Sequence, residues 1–318
     1  MSELLVKKTN ELTKEEIAKI NTLFNHIFKH NRTEDIFLAQ YTNTPLGYSF
    51  HTMLFEGDEL IGFHSGVPFY YLNNGQRFIA GLGVDTMTAE GHRDFFNVRD
   101  MFAACENVMK ENGCVLRLGF PNDNSYPVLK KGFKYKDIGK LDTFFLPIRV
   151  GGIKPSLGLF NPLSRLFSWG VIQVSRLSRN NNVTKFQYQK EHESFDAIRY
   201  NWFGGGYQVV ETKGATAHYK VQTHEGVRTA FIVDVFPRTK AGFDAVVREV
   251  YKRERKSIDL IMYVGHLQFT PMSLLKMPHK IEPKHFNFTC KPLVKDVFDD
   301  SLYNIENWDV NLSNYDLV

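Results

Sequence analysis

The sequence predicts an α+β protein built as two tandem domains. Three observations carry this. The chain has 318 residues, more than one ordinary domain of roughly 100–200. Hairpin signals recur between short β-prone runs, at Glu56-Gly57-Asp58, Asn73-Asn74-Gly75 and Glu225-Gly226. The order hairpin, helix, strand, short helix, strand is spelled out twice, although no strong repeat of individual residues accompanies it.

The elements follow in order. Thr13 and Glu16 form a capping-box pair, and Ile17, Ile20, Phe24, Ile27 and Phe28 continue at helical spacing. His26 and His30 fall four apart on this run. That spacing could hold a metal, but the Glu of an H-E-x-x-H site is absent, so ordinary surface histidines and no metal are expected. Residues 53–55 and 60–63 flank the first turn, and 67–72 and 78–87 flank the Asn-Gly turn, giving an antiparallel meander. After a loop over 88–97, residues 98–110 read as a helix with Val98, Met101, Phe102, Cys105, Val108 and Met109 on one face, stopped by Asn112-Gly113. A strand at 114–118, a short helix at 124–131 and a strand from 133 complete the first half. In the second half, 217–223 and 228–236 form a hairpin, and 240–255 a helix facing inward through Phe243, Val246, Val247, Val250 and Tyr251. A strand at 258–264, a short helix at 271–277 and a strand at 286–290 follow. The expected domains are 1–147 and 196–318, joined by a basic amphipathic segment at 148–195.

Composition narrows the function. The net charge, 39 − 35 = +4, is mild for a nucleic-acid binder. Cys105, Cys114 and Cys290 form no C-x-x-C pair, which argues against a disulfide framework and a cysteine zinc site. The first residues lack the apolar core of a signal peptide, and no run of about 18 apolar residues exists, so a cytoplasmic protein without a membrane span is expected. Aromatics make up 14%, enough for large cores or an apolar ligand cleft.

The middle is distinctive. Residues 143–190 contain no Asp or Glu but carry Arg149, Lys154, Arg165, Arg176, Arg179, Lys185 and Lys190. Leu159, Phe160, Leu163, Leu166, Phe167, Val171, Val174 and Leu177 add a helical apolar stripe. One reading of 154–179 is peripheral contact with anionic lipid at a membrane surface; the other is a connecting helix packed between domains, its arginines solvated.

Most catalytic motifs are missing. There is no G-x-x-x-x-G-K-[ST] loop and no G-x-S-x-G elbow. Gly81-Leu82-Gly83 reads as strand, and Gly204-Gly205-Gly206 beside Trp202 and Phe203 as a mobile loop.

Three phrases, "FEGDELIGFHSGVPF", "GLGVDTMTAEGHRDFFNVRDMF" and "LGFPNDNSYPVLKKGFKY", resemble the GNAT superfamily of acyl-CoA-dependent N-acyltransferases. Tyr200-Asn201-Trp202 and the tail around Trp308 and Asp316 look like features of its tandem subgroup. The resemblance implies two GNAT-like domains, each a mixed, mostly antiparallel sheet with flanking helices. It also implies acetyl-CoA or another acyl-CoA as cosubstrate, without a metal. A strand over 83–88 would splay from its neighbour and offer Val84, Thr86 and Met87 to the pantetheine arm. The family's pyrophosphate turn, Arg-x-x-Gly-x-Gly/Ala, is matched here only at Arg93. Asp94, Phe95, Phe96, Asn97 and Val98 follow, so both glycines are gone and phosphate contact would fall to the side chains of Arg93 and Asn97. Asn122 matches an Asn that contacts CoA, and Tyr126 the tyrosine that protonates the leaving thiolate. Packing its ring at a helix start is the plainer role for Tyr126.

For a base, Asp85 is the best-placed carboxylate. Strand alternation would turn Gly83, Asp85 and Met87 to one face and Val84 and Thr86 to the other. A solvated Asp85, with water relaying the proton, is the alternative. Phe69, Tyr70, Trp202 and Tyr207 could stack on a sugar acceptor, or simply fill the core. The expected activity is therefore transfer of an acyl group, acetyl in the first instance, to the amine of a small acceptor such as an amino sugar of surface-polysaccharide assembly. An aminoacyl-tRNA-dependent transferase, the one case in which a nucleic acid would be a partner, and a non-catalytic binding module are the alternatives.

Overall fold

The structure, a computed structural model, describes residues 2–200, 202, 205–282 and 284–315. In chain order it forms β1 (Ser2–Lys8), α1 (Lys14–Phe28), α2 (Glu34–Thr42), β2 (Phe50–Glu56), β3 (Glu59–Asn73), β4 (Gln76–Thr88), α3 (Phe95–Glu111), β5 (Cys114–Gly119), α4 (Tyr126–Phe133) and β6 (Lys136–Lys140). Then come β7 (Asp142–Pro147), α5 (Val150–Ile153), α6 (Asn161–Val174), β8 (Tyr188–Lys190) and α7 (His192–Arg199). The rest are β9 (Gln208–Glu211), β10 (Thr216–His224), β11 (Val227–Phe236), α8 (Lys240–Glu254), β12 (Leu260–Gly265), β13 (Leu275–Lys276) and β14 (Asn287–Pro292).

Two compact units result, each with its own mixed sheet. The first comprises residues 1–139, 187–205 and 287–307; the second comprises 140–186, 206–286 and 308–318. The first sheet runs β1-β2-β3-β4-β5-β14-β6, with β8 added on β3, and the second runs β13-β7-β12-β11-β10-β9. The α+β fold with one sheet per unit is thus present, but the units are not the contiguous stretches 1–147 and 196–318. Strand β7 pairs antiparallel with β12 from Gly265↔Asp142 to Leu260↔Pro147, within the second unit. Strand β14 pairs with β5 in the first, from Thr289↔Gly119 to Pro292↔Leu116. The chain crosses over and back, and the segment expected as a linker, 148–195, is divided between both units.

Local chemistry explains most elements. The Thr13–Glu16 capping box forms, with Glu16 N donating to Thr13 Oγ1 and Thr13 N donating to Glu16. α1 ends at Phe28, where Lys29 turns left-handed, so His30 leaves the helix and does not share a face with His26. Both Asn74 and Gly75 take positive φ, as do Glu225 and Gly226, the signature of tight hairpin turns. The α3 apolar face packs on β2, β3 and β5. Gly81 makes room for it: a Cβ there would lie 1.6 Å from Met109 Cε. The expected helix at 271–277 does not form. Leu275 and Lys276 pair with Phe145 and Phe144 of β7 as strand β13 instead, and Asp244 of α8 accepts from the backbone N–H groups of Met272 and Ser273 and from the Ser273 hydroxyl just before them. Likewise Phe133 ends α4 rather than opening a strand, and β6 begins at Lys136.

Candidate functional site

The site lies where two parallel strands of the first unit stop pairing. Strands β4 and β5 match from Ile79↔Cys114 to Leu82↔Leu118, and no further pair forms. β4 runs on to Thr88 while β5 turns away at Gly119. This leaves the β5-facing edge of residues 83–88 without a strand partner, next to the N-terminus of α3.

A β-bulge shapes that edge. Ser65 faces Val84 and Phe63 faces Met87, so Asp85 and Thr86 together oppose His64. Asp85 takes φ 51°, a left-handed conformation that Asp tolerates better than most residues. The extra residue breaks strand alternation. Val84 and Met87 are both buried while Thr86 is exposed, so Gly83, Asp85 and Met87 do not share one face.

Asp85 is not a solvated carboxylate. Its side chain is 9% exposed and forms an ion pair with Arg32, itself 3% exposed. The Tyr41 hydroxyl donates to the same carboxylate oxygen at 2.5 Å. Burial, then Asp85, pushes the Tyr41 phenol well above its ordinary range. Arg32 is pinned further by Asn21 Oδ1 at 2.8 Å and by the Phe24 ring at 3.6 Å. A carboxylate bound this way holds the bulge in shape and is poorly suited to collect a substrate proton.

Behind the bulge lies a buried polar network. His64 Nδ1 is 2.8 Å from Thr86 Oγ1, and its Nε2 faces the Arg117 guanidinium. Because a guanidinium only donates, Nε2 must accept, which places the His64 proton on Nδ1, toward the Thr86 oxygen. His51 bridges Thr9 and Ser65, each at 2.8 Å. Burial and then Arg32 hold His51 down to about 3, while burial and then Arg117 hold His64 well below its ordinary value. Both histidines are therefore neutral in the fold and titrate near 6.5 once unfolded. Stability is full above that pH and falls as pH drops below it, because the unfolded chain takes up protons first. His51 alone should cost about 2 kcal/mol between pH 6.5 and 4.5, and His64 adds to the loss in the same direction. Urea midpoints across that range would show it, and His51→Gln should make the fall shallower.

The α3 N-terminus carries its own anion. Asp94 is the N-cap and accepts from Phe96 N at 2.6 Å. Phe95 stacks on Phe133 of α4 at 5.8 Å and 14°, and a Cβ on Gly132 would come within 2.6 Å of its ring. Arg93 is exposed and Asn97 half-buried beside this end. A carboxylate on the helix N-terminus and an aromatic bridge to α4 do not fit a pyrophosphate held on backbone N–H groups. The unpaired β4 edge does fit an extended pantetheine arm.

At the open end of β5 the chain turns through Asn122 into α4. Asn122 Oδ1 accepts from Asn124 N, Ser125 N and Ser125 Oγ, so its oxygen serves the turn. Tyr126 opens α4, half-buried, and donates to Asp137 Oδ1 at 2.8 Å. Lys130 Nζ lies 3.3 Å from the same hydroxyl and pairs with Asp137. Burial, then Asp137, raises the Tyr126 phenol, and the Asp137 hydrogen bond chiefly raises Lys130. The sequence pointed to Tyr126; Lys130 and Asp137, which set its hydrogen bonding, were missed, although Lys130 stands one helical turn on.

The aromatic candidates differ in burial and in the unit that holds them. Phe69 is buried against Phe195 at 4.7 Å and Trp202 at 5.5 Å, and Trp202 is itself fully buried. These two are core residues of the first unit. Tyr70 is half-buried with Arg77 over its ring at 4.6 Å. Tyr207 belongs to the second unit, under Lys220 at 4.6 Å. Asn201, Phe203, Gly204 and Asp316 lie outside the described residues.

The second unit repeats the strand device. β11 and β12 pair in parallel from Thr229↔Leu260 to Ile232↔Tyr263, and the β10–β11 register shifts at His218/Tyr219. Beyond the shift, Arg238 is buried between Asp234 and Asp309. Sequence spacing gave no signal for this cluster, since Asp309 joins it from 71 residues beyond Arg238.

Comparison with known proteins bears on the fold. No protein-family profile and no curated protein matches the chain. Solved structures do match. A GCN5-related N-acetyltransferase from Anabaena variabilis is 10% identical at TM-score 0.57, over 91% of this chain and 73% of its own. One from Kribbella flavida is 10% identical at 0.57, over 92% and 71%. A protein from Enterococcus faecalis called a probable N-acyltransferase is 12% identical at 0.56, over 92% and 73%. At these identities the likeness is one of fold, and it covers both sheets.

Proposed function

We propose that this chain, on its GCN5-related N-acetyltransferase fold, is an N-acyltransferase. It would move a small acyl group, acetyl in the simplest case, from a thioester donor to the amine of a small acceptor. The observation that carries the reading is the open β4–β5 pair with the bulge at Asp85 and Thr86. An extended donor arm can lie along the unpaired β4 edge, whose backbone groups at Val84, Thr86 and Met87 orient it. The donor supplies an activated acyl carbonyl. Tyr126, turning its hydroxyl from Asp137 to the departing sulfur, gives its phenolic proton to the thiolate, and the Lys130 ammonium stabilises the phenolate left behind. Asp85 acts as a positioning residue, so the proton of the attacking amine leaves through water.

The acyl-CoA donor is supported in its pantetheine arm and not at its pyrophosphate, where Asp94 and Phe95 stand. That second observation favours one other reading, an aminoacyl-tRNA donor, which needs no pyrophosphate site there. The acceptor class we favour is an amino sugar, of the kind used in surface-polysaccharide assembly. The test is thiol release from acetyl-CoA in the presence of amino sugars, polyamines and lysine. Amine-dependent release supports the reading. Absence of release with every amine, together with transfer from charged tRNA, would replace it with the second.

A further inference from the structure

Helix α6 is amphipathic in the reverse sense. Its inward side is small and polar. Ser164, Ser168 and Ser175 are buried together with Ile172, and their hydroxyls are satisfied within the second unit. Ser164 Oγ donates to Ile148 O at 3.0 Å, Ser168 Oγ to Pro147 O, and Ser175 Oγ to Ile172 O at 2.8 Å. The outward side carries Leu163, Leu166, Phe167 and Val174, on one stripe at helical spacing. Leu163 is 62% exposed, Leu166 63%, and Leu159 in the preceding turn 93%. Scattered exposed leucines are ordinary, but a continuous stripe on one helix marks a surface that something covers. The Ser164 and Ser168 hydrogen bonds to the backbone of residues 147 and 148 hold the small polar side inward.

The charge around the stripe selects the occupant. Lys154, Arg165, Arg176 and Arg179 are exposed, and the whole segment is free of acidic residues. Arg165 and Trp169 share one flank of α6, and Arg176 follows in the turn after it. That flank borders a cavity of about 630 Å³ lined by Trp169, Arg176, Arg248, Lys252 and Arg255, with Glu211 and Glu249 as its acids. A second copy of the same face would bring these cations against their own kind. The helix is also too short to cross a bilayer, and no helix among the described residues is long and apolar enough to do so. We propose that this face lies flat on an anionic phospholipid surface, with its leucines and Phe167 among the acyl chains and its arginines at the headgroups. This docking is independent of the acyl-transfer reading.

The experiment is flotation of the full chain with vesicles of phosphatidylcholine, with and without phosphatidylglycerol. Binding to the anionic vesicles at low salt, weakening as salt rises, is expected. The triple variant Leu163→Ser, Leu166→Ser, Phe167→Ser changes only exposed side chains. It should keep its thermal melt and lose about a hundredfold in vesicle affinity. Arg165→Gln with Arg176→Gln should cost about 25-fold on anionic vesicles, about fivefold per charge, and nothing on neutral ones. No flotation with anionic vesicles at low salt would overturn the proposal. So would a dimer, seen by light scattering, that the triple variant dissolves while the wild-type chain ignores vesicles.

Discussion

Replacing Tyr126 with phenylalanine is expected to cut turnover by about two to four orders of magnitude, while the donor KM moves by less than about threefold. The change removes one hydroxyl and little else. Its ring stays at the first turn of α4, and Asp137 keeps Lys130 as a partner. A general acid acts only as the leaving group departs, so its loss falls on kcat. Because the phenol is raised above its ordinary range, the wild-type acid stays protonated across the usual assay range. Its loss should therefore scale the pH profile down without moving it. Thiol release against pH, with a melting curve for each protein, checks both points. Undiminished turnover would remove Tyr126 from the chemistry and leave the fold untouched.

Asp85→Ala carries the largest expected stability effect, about 3–5 kcal/mol, measured by urea unfolding. The carboxylate neutralises Arg32, a guanidinium buried among Asn21, Phe24, Phe37 and Tyr41. Removing it strands a buried charge, which costs far more than the pair itself contributes. Removing both charges at once, as Arg32→Met with Asp85→Asn, should recover most of the loss, because Asn tolerates the left-handed φ and still accepts from the Tyr41 hydroxyl. If Asp85 were instead the catalytic base, Asp85→Ala would abolish activity and leave the urea midpoint in place. The two roles are separated by which quantity moves.

What the sequence revealed depends on the range of the interaction. The capping box at Thr13 and Glu16, the Asn74-Gly75 turn and the inward faces of α3 and α8 are local, and each was legible. The exchange of β7 and β14 was not, because residues 142–147 gave no separate strand signal and the strand-prone run at 286–290 does not name its partner strand. Asp85 illustrates the same limit twice. Alternation assumes a regular strand, which the bulge violates, and the Arg32 that claims its carboxylate sits 53 residues earlier in a loop. The stripe on α6 was visible as a period, but only the serine hydrogen bonds show that it points outward. Phe95 and Asp94 were legible as departures from a glycine turn, and the structure shows how they occupy the place: one as an aromatic bridge to α4, the other as the cap of α3.

The central claim is that an acyl thioester is used along the β4 edge, with the α3 N-terminus contributing nothing to the donor's phosphates. Comparing acetyl-CoA with acetyl-pantetheine, which lacks the nucleotide and pyrophosphate, tests it most directly. The account predicts kcat/KM values within about tenfold of each other, because Asp94 and Phe95 deny the pyrophosphate the grip that a helix N-terminus would give. A preference for acetyl-CoA of about a thousandfold, or no amine-dependent thiol release from either donor, would contradict it.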